Sequence, residues 1–286
     1  MSRLRDWLAR GPLITDGAWG TELQKRGLPA GTAPDLWNLS HPAQVEEVAR
    51  AYVEAGSQVI LTNTFRANPV AIEGDLEAIN RAGVALSKRA AAGRALVFAS
   101  LGPTGKLLIT GEIGPDRMRA AFAQQASALA RAGADALLIE TMSDIEEARL
   151  ALSAAKPTDL PVIVSFAFDS GRNKDRTLTG ATPEAVAMAM AESGADAVGA
   201  NCGVGPEQAV PLCRRLRAAC DLPVWIKPNA GLPRMDGNAI HYDVTAESFA
   251  AHYPALREAG AAFVGACCGS TPEFIRALVK AQCAAS

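Results

Sequence analysis

Four times along this chain an alanine-rich helical stretch ends in a glycine and passes at once into an apolar run: EAGSQVILTNTF (54–65), RAGADALLIET (131–141), ESGADAVGANC (192–202) and EAGAAFVGACC (258–268). A glycine there can take the left-handed conformation that closes a helix, and the run behind it reads as a strand covered on both faces. This is the helix-to-strand half of a βα unit. Repeated, it implies parallel strands joined by crossover helices. The same reading of the remaining chain predicts eight strands, over 13–16, 59–64, 96–101, 136–140, 162–166, 197–201, 224–228 and 262–266.

Helices are predicted to open at Pro42, Asp75, Pro115, Asp144, Pro183, Pro206, Thr245 and Pro272. Starts such as Thr182, Pro183, Glu184 and Thr271, Pro272, Glu273 combine a cap oxygen, a proline whose missing N–H costs nothing in the first turn, and a negative charge near the positive helix end. Eight βα units in 286 residues, with no GxGxxG behind any strand, predict an α/β protein whose fold is a closed (β/α)8 TIM barrel, one domain over 1–286, in preference to an open doubly wound sheet. The leading RLRDWLAR is expected to form a short amphipathic helix over the barrel floor. The longest irregular stretches, 27–40, 169–180 and 230–243, follow strand ends, where barrel enzymes carry substrate loops.

The charge balance, 28 Lys and Arg against 30 Asp and Glu, leaves no basic stripe to neutralise phosphates, so no nucleic-acid partner is expected. No apolar run is long enough for a bilayer, and MSRLRDWLARGPLI lacks the continuous hydrophobic stretch of a secretory signal. A cytoplasmic location without membrane contact is expected. Six cysteines in a chain of this length do not make a disulfide scaffold, which favours reduced thiols.

In a barrel, the residues closing the strands form the rim of the active site. Here they are polar: Asp16 with Gly17, Asn63 and Thr64, Gly102, Glu140, Ser165, Asn201 with Cys202, Asn229, and Cys267 with Cys268. Cys213, Cys220 and Cys283 lie in helical or terminal segments and read as small hydrophobes. Cys202, Cys267 and Cys268 are different, because all three end strands and the glycines of GACCG let the backbone bend until both sulfurs face one point. A vicinal disulfide is the rival explanation, and it leaves Cys202 without a role. Three thiolates select a soft or borderline metal, Zn2+ best of all. His41, His241 and His252 fall away from strand ends, so the predicted site is open. A centre already carrying three thiolates is a poor generator of hydroxide but can hold a fourth sulfur as a nucleophilic thiolate.

The elements DGAWGTELQKRG (16–27), TNTF (62–65), IETMSD (139–144), ANCG (200–203), KPNAG (227–231) and GACCGSTPEFIRAL (265–278) run from the first strand to the last helix. In them the chain resembles the homocysteine S-methyltransferase family, the homocysteine-binding zinc barrels found in methionine synthase and in betaine-homocysteine methyltransferase. The resemblance implies methyl transfer to the homocysteine thiol to give methionine, with zinc on Cys202, Cys267 and Cys268 and no catalytic residue singled out beyond the metal site. It further implies that Glu140 and Asn229 hold the homocysteine amino group, with Asp16 nearby and backbone N–H groups at Gly17 and Ala18 suited to its carboxylate. An amino-acid zwitterion does need an anion for its ammonium and N–H donors for its carboxylate. The competing reading makes Asp16 a helix cap and Asn229 a loop hydrogen-bonder. The family commonly carries GGCCGT where this chain has GACCGS, which narrows the room beside the ligands without removing one.

The methyl donor is left open, and a thiol substrate other than homocysteine is an alternative acceptor. A betaine donor calls for an aromatic cage, and the position after Glu140, aromatic in the betaine enzymes, is Thr141 here. Trp19, Trp37 and Phe65 sit near the rim without making a cage, and Trp37 reads equally as a packing residue. S-methylmethionine, S-adenosylmethionine and methylcobalamin on a separate corrinoid protein are the other candidates. Two further classes stand beside the methyltransferase: a zinc hydrolase, for which the histidines are misplaced, and a non-catalytic zinc-stabilised binding module, for which no fourth ligand is visible.

Overall fold

A computed structural model describes residues 3–236 and 239–285. In chain order the strands are β1 (Leu13–Ile14), β2 (Val59–Leu61), β3 (Leu96–Leu101), β4 (Ala136–Met142), β5 (Val162–Phe166), β6 (Ala197–Cys202), β7 (Val224–Pro228), β8 (Pro233–Asp236), β9 (Ala239–Tyr242) and β10 (Ala261–Val264). The helices are α1 (Arg3–Leu8), α2 (Gly20–Lys25), α3 (Trp37–Ser40), α4 (Pro42–Glu54), α5 (Leu76–Ala91), α6 (Pro115–Arg131), α7 (Ile145–Ala155), α8 (Pro183–Glu192), α9 (Pro206–Ala219), α10 (Ala246–Ala250), α11 (Tyr253–Glu258) and α12 (Pro272–Ala284). Eight strands form one parallel sheet in the order β1-β10-β7-β6-β5-β4-β3-β2. Helices cover its outside. This is the predicted (β/α)8 barrel.

The barrel closes at the β1/β2 seam through few contacts. Gln58 N donates to Ile14 O (2.8 Å), Ile14 N donates to the Gln58 side chain (2.9 Å), and Leu61 N donates to the Asp16 carboxylate (2.7 Å). The predicted helix caps form as expected: Gly56, Gly133, Gly194 and Gly260 all have φ between 80° and 100°. The helix predicted from Thr245 is broken in two, and Pro254 in the first turn of α11 cannot donate a backbone bond across the break. The stretch 230–243, expected to be irregular, instead pairs β8 with β9 as an antiparallel hairpin.

Side chains two residues apart on a strand share a face, and this alternation splits the barrel interior into layers. At the amino-terminal end the fill is apolar and includes Leu61, Phe98, Leu138, Ile163, Trp225 and Phe263. Leu4 of α1 is buried against these residues and the Trp7 ring lies 5.5 Å from that of Phe98, so α1 covers the floor as the sequence predicts. Two residues further along the strands the interior turns polar: Ser100 follows Phe98, Glu140 follows Leu138, Ser165 follows Ile163 and Lys227 follows Trp225. All four are buried. Buried polar groups are costly unless paired, and here they pair with one another or with the residues at neighbouring strand ends. No helix among the described residues is long and apolar enough to cross a membrane.

Candidate metal centre

The carboxyl ends of β6 and β10 bring the three predicted cysteines together. The Sγ atoms of Cys202, Cys267 and Cys268 all lie within 4.8 Å of one another, with Cys202 to Cys267 at 3.3 Å and Cys267 to Cys268 at 4.0 Å. All three are free thiols, so the vicinal-disulfide alternative is not what the fold builds. Tetrahedral zinc with Zn–S of about 2.3 Å places its sulfurs about 3.8 Å apart, a spacing these separations bracket. The donor set therefore fits a soft dication. Packed this tightly, the sulfurs do not share charge evenly: its two thiol neighbours hold Cys268 far below the ordinary thiol value, while Cys202 is pushed well above it by its thiol neighbours and burial. A bound cation must displace the remaining thiol protons.

Backbone geometry aims these groups. Cys202 and Thr141 both have positive φ, 57° and 62°, unusual for non-glycine residues and most of all for a β-branched one. The β4–β5 register shifts between Ile139 and Met142, and such a bulge re-aims the side chains at Glu140 and Thr141. Asn201, buried at the end of β6, holds both special residues. Its Oδ1 accepts from Thr141 N (2.9 Å) and Ser165 Oγ (2.6 Å), and its Nδ2 donates to Thr141 Oγ1 (2.7 Å) and Cys202 Sγ (3.4 Å).

Asn229 clamps the two cysteine loops together. Its Nδ2 donates to Gly203 O (2.8 Å) and its Oδ1 accepts from Cys268 N (3.0 Å), so both ends of the carboxamide are engaged. These are loop hydrogen bonds, the competing reading of the sequence. Asp16 is wholly buried beneath the site. One oxygen accepts from Lys227 Nζ (2.5 Å), and the other accepts from Leu61 N (2.7 Å) and Trp19 Nε1 (2.8 Å). It caps no helix: α2 begins after Trp19, without a side-chain cap. Ala18 N already donates to Ser270 Oγ (3.0 Å), and a side chain at Gly17 would meet Ser270 and Tyr52.

Glu140 occupies the same mouth. Ser100 Oγ donates to its Oε1 at 2.5 Å, and burial pushes its pKa up to about 7 against the pull of Lys227. Lys227 lies inside the KPNAG element, yet nothing in the residue pattern singles it out from the other lysines. Tyr242 is likewise invisible in the sequence: its ring lies against Gly269, where a Cβ would fall 2.2 Å from it.

Other rim residues serve the scaffold. Asn63 ties the first loop through Pro34 O and Asn38, the Phe65 ring covers Gly102, and Trp37 is buried with its ring stacked on His41 at 4.3 Å. Trp37 is thus a packing residue. Cys213 is buried in the core as expected, whereas Cys283 is exposed on α12.

The family model described as homocysteine S-methyltransferase matches residues 13–282. The chain belongs to the homocysteine S-methyltransferase family. It is 29% identical to a methionine synthase of Mycobacterium leprae and 30% identical to that of Mycobacterium tuberculosis, over 97% of this chain in each case. It spans about a quarter of the length of those relatives. Among solved structures, the metallated form of the homocysteine methyltransferase MmuM from Escherichia coli superposes with a TM-score of 0.78 at 26% identity, covering 96% of this chain and 98% of that one. The apo form of the same protein gives 0.77 at 25% identity, covering 97% and 99%. The carboxyl transferase domain of Rhizobium etli pyruvate carboxylase, 17% identical with a TM-score of 0.57 over 98% of this chain and 48% of that one, shares the barrel fold.

Proposed function

We propose that this chain is a zinc-dependent homocysteine S-methyltransferase that gives methionine. The observation that carries the reading is the meeting of three thiols from two strand ends, within 4.8 Å, in a barrel mouth that also holds a buried carboxylate. Cys202, Cys267 and Cys268 would hold the metal, and a dication bound by three thiolates keeps an added sulfhydryl in its nucleophilic form at neutral pH.

The chain's own groups then orient the acceptor. Glu140, fixed by Ser100, receives the substrate ammonium, the ion most stabilised by a carboxylate already withdrawn from water. Asn229 keeps the two ligand loops in register, and Asn201 directs an N–H at the Cys202 sulfur, which moderates its charge. Asp16, Gly17 and Ala18 shape the adjoining wall: the Asp16 oxygens are engaged by the chain, and the lack of a side chain at Gly17 lets Ser270 reach Ala18 N. In the transfer, the homocysteine sulfur forms a bond to the methyl carbon while the bond from that carbon to the donor's heteroatom or metal breaks, its electron pair leaving with the donor.

A protein-borne donor, such as a corrinoid protein, is the second reading. Leu36, Leu39, Ile109, Leu178 and Leu232 are large exposed hydrophobics in the segments that follow β1, β3, β5 and β7, Leu39 within α3, on the face that carries the cysteines, whereas Met188 is exposed on α8. Exposed apolar residues gathered on one face favour a macromolecular contact.

The deciding experiment measures methionine formed from homocysteine by zinc-loaded protein, with betaine, S-methylmethionine, S-adenosylmethionine, free methylcobalamin and a methylated corrinoid protein offered in parallel. Transfer from any one establishes the activity and its donor. Absence of transfer from all five, with no change in sulfur coordination of the metal when homocysteine is added, refutes the reading.

A further inference from the structure

Lys227 is the only buried Lys or Arg among the described residues, and its side chain is 2% exposed. It stands in the barrel one layer below the cysteines, with Nζ 2.5 Å from the Asp16 carboxylate, itself fully buried. The contact joins β7 to the turn after β1, spanning β10, while the other oxygen of the same Asp16 carboxylate receives Leu61 N of β2. Room for it is built in: a Cβ at Gly265 would fall 1.9 Å from Thr15 Oγ1 and 3.2 Å from Lys227 Cγ. Burial alone would depress this ammonium, yet Asp16, Glu140 and Cys267 more than offset the penalty and hold its pKa above the ordinary lysine value. A seam needing only mechanical closure could be made by apolar side chains, and often more stably. An ion pair here fixes charge as well as shape.

We propose that Lys227 is a positioning residue for substrate: pinned to Asp16, its buried ammonium balances the acidic layer beneath the cysteines and so keeps Glu140 available as the anionic partner of an ammonium-bearing substrate. This inference rests on the homocysteine reading above. The charged and titratable groups that face Glu140 are Lys227 from β7, Asp16 from the turn after β1, and Cys267 and Cys268 from the loop after β10, with Ser100 of β3 as its hydrogen-bond donor. Lys227 is the one cation in this set. Its removal leaves the acids to repel one another, so Glu140 takes up a proton and ceases to attract an ammonium. Raising the pH restores its charge.

The test compares wild type with Lys227→Met and with the double variant Asp16→Asn/Lys227→Met, which removes both partners of the ion pair together, so that Asp16 is not left as an unpaired buried charge, and guards against simple misfolding. Zinc content, melting temperature and the homocysteine dissociation constant are measured from pH 6 to pH 9. Wild type is measured first: zinc-loaded wild type that does not bind homocysteine defeats the functional reading, whatever Lys227 does. Given binding by wild type, the expectation for Lys227→Met is retained zinc and an affinity about fivefold or more weaker at pH 7, the loss of anionic Glu140 that a rise of one pKa unit causes there, recovering towards wild type as the pH rises. If the single variant does not fold, the double variant carries the same expectation with a smaller pH shift. A folded variant whose affinity and pH profile match wild type, with only the melting temperature lowered, overturns the proposal and leaves Lys227 as a structural strut.

Discussion

Replacing Asn201 by Ala should both destabilise the barrel and loosen the metal, because one carboxamide holds two strained backbones. The side chain is 2% exposed and makes four hydrogen bonds, to Thr141 N, Thr141 Oγ1, Ser165 Oγ and Cys202 Sγ. Alanine removes all of them and leaves the Thr141 N–H without its acceptor. At about 1 kcal/mol for each neutral bond, with the weak N–H···S contact discounted, the loss is about 3 kcal/mol. Unfolding entropy near 2.1 cal/mol/K per residue amounts to about 0.6 kcal/mol/K for a chain of this size, so the melting temperature should fall by about 5 °C. Thr141 at φ 62° persists only while its surroundings compel it. Once released, the Thr141 turn and the Cys202 backbone beside it can relax, and zinc affinity should drop about 10- to 100-fold, the usual consequence of losing a group that orients a ligand. Thermal denaturation by circular dichroism and competition against a chromophoric chelator measure the two effects. A melting temperature within about 1 °C of wild type together with unchanged zinc affinity would refute the argument, since surface substitutions with no such role stay within about 0.5 kcal/mol.

Cys268→Ser should abolish stoichiometric zinc, read by elemental analysis, while the far-ultraviolet spectrum stays that of a folded barrel, because the ligand lies at the rim and not in the apolar layers. Glu140→Gln should keep zinc and weaken homocysteine binding, and calorimetry that finds metal lost instead would show Glu140 to be a ligand-positioning group. The same residue sets a pH dependence with a definite sign. Its folded pKa near 7 stands above the ordinary carboxyl value of 4.5, so its contribution to stability is present below pH 4.5 and is lost as the pH rises through 7, by at most about 3 kcal/mol. Metal-free wild type should therefore lose melting temperature relative to Glu140→Gln between pH 5 and pH 8; parallel curves would contradict the burial argument. Homocysteine affinity should move the opposite way, improving as the pH rises through 7 and the carboxylate forms. Gly265→Ala should prevent folding or cost about 3 kcal/mol or more, since its Cβ would sit 1.9 Å from Thr15 Oγ1 in a packed interior; a soluble variant with near-native melting would show the interior able to yield.

What the sequence made legible follows from what is local. The glycines at 56, 133, 194 and 260 announce helix ends because a left-handed residue closes a helix wherever it occurs, and the eight apolar runs announce strands because a strand covered on both faces has no polar side to show. The cysteines were legible for a different reason: a thiol at a strand end in a barrel has only one direction to point. The β8–β9 hairpin escaped because its strands lie off the barrel, in a stretch where turn residues and apolar residues alternate too briefly to set a period.

The partners of Asp16 and Asn229 escaped differently, and Lys227 escaped most completely. Each depends on which oxygen or amide faces it from an element far away in sequence: 211 residues separate Lys227 from Asp16, and 39 separate Asn229 from Cys268. The chemistry of a site can be read from the residue types at strand ends, but its electrostatics cannot, because charge balance is a property of the closed barrel. Lys227, on one strand, and Glu140, on another, acquire meaning only when the closed barrel sets them within one another's field below the same three sulfurs. An acidic layer beneath a thiolate cluster would by itself repel the electron-rich sulfur the site is proposed to accept. A single buried cation in that layer offsets the repulsion at the one depth where water cannot.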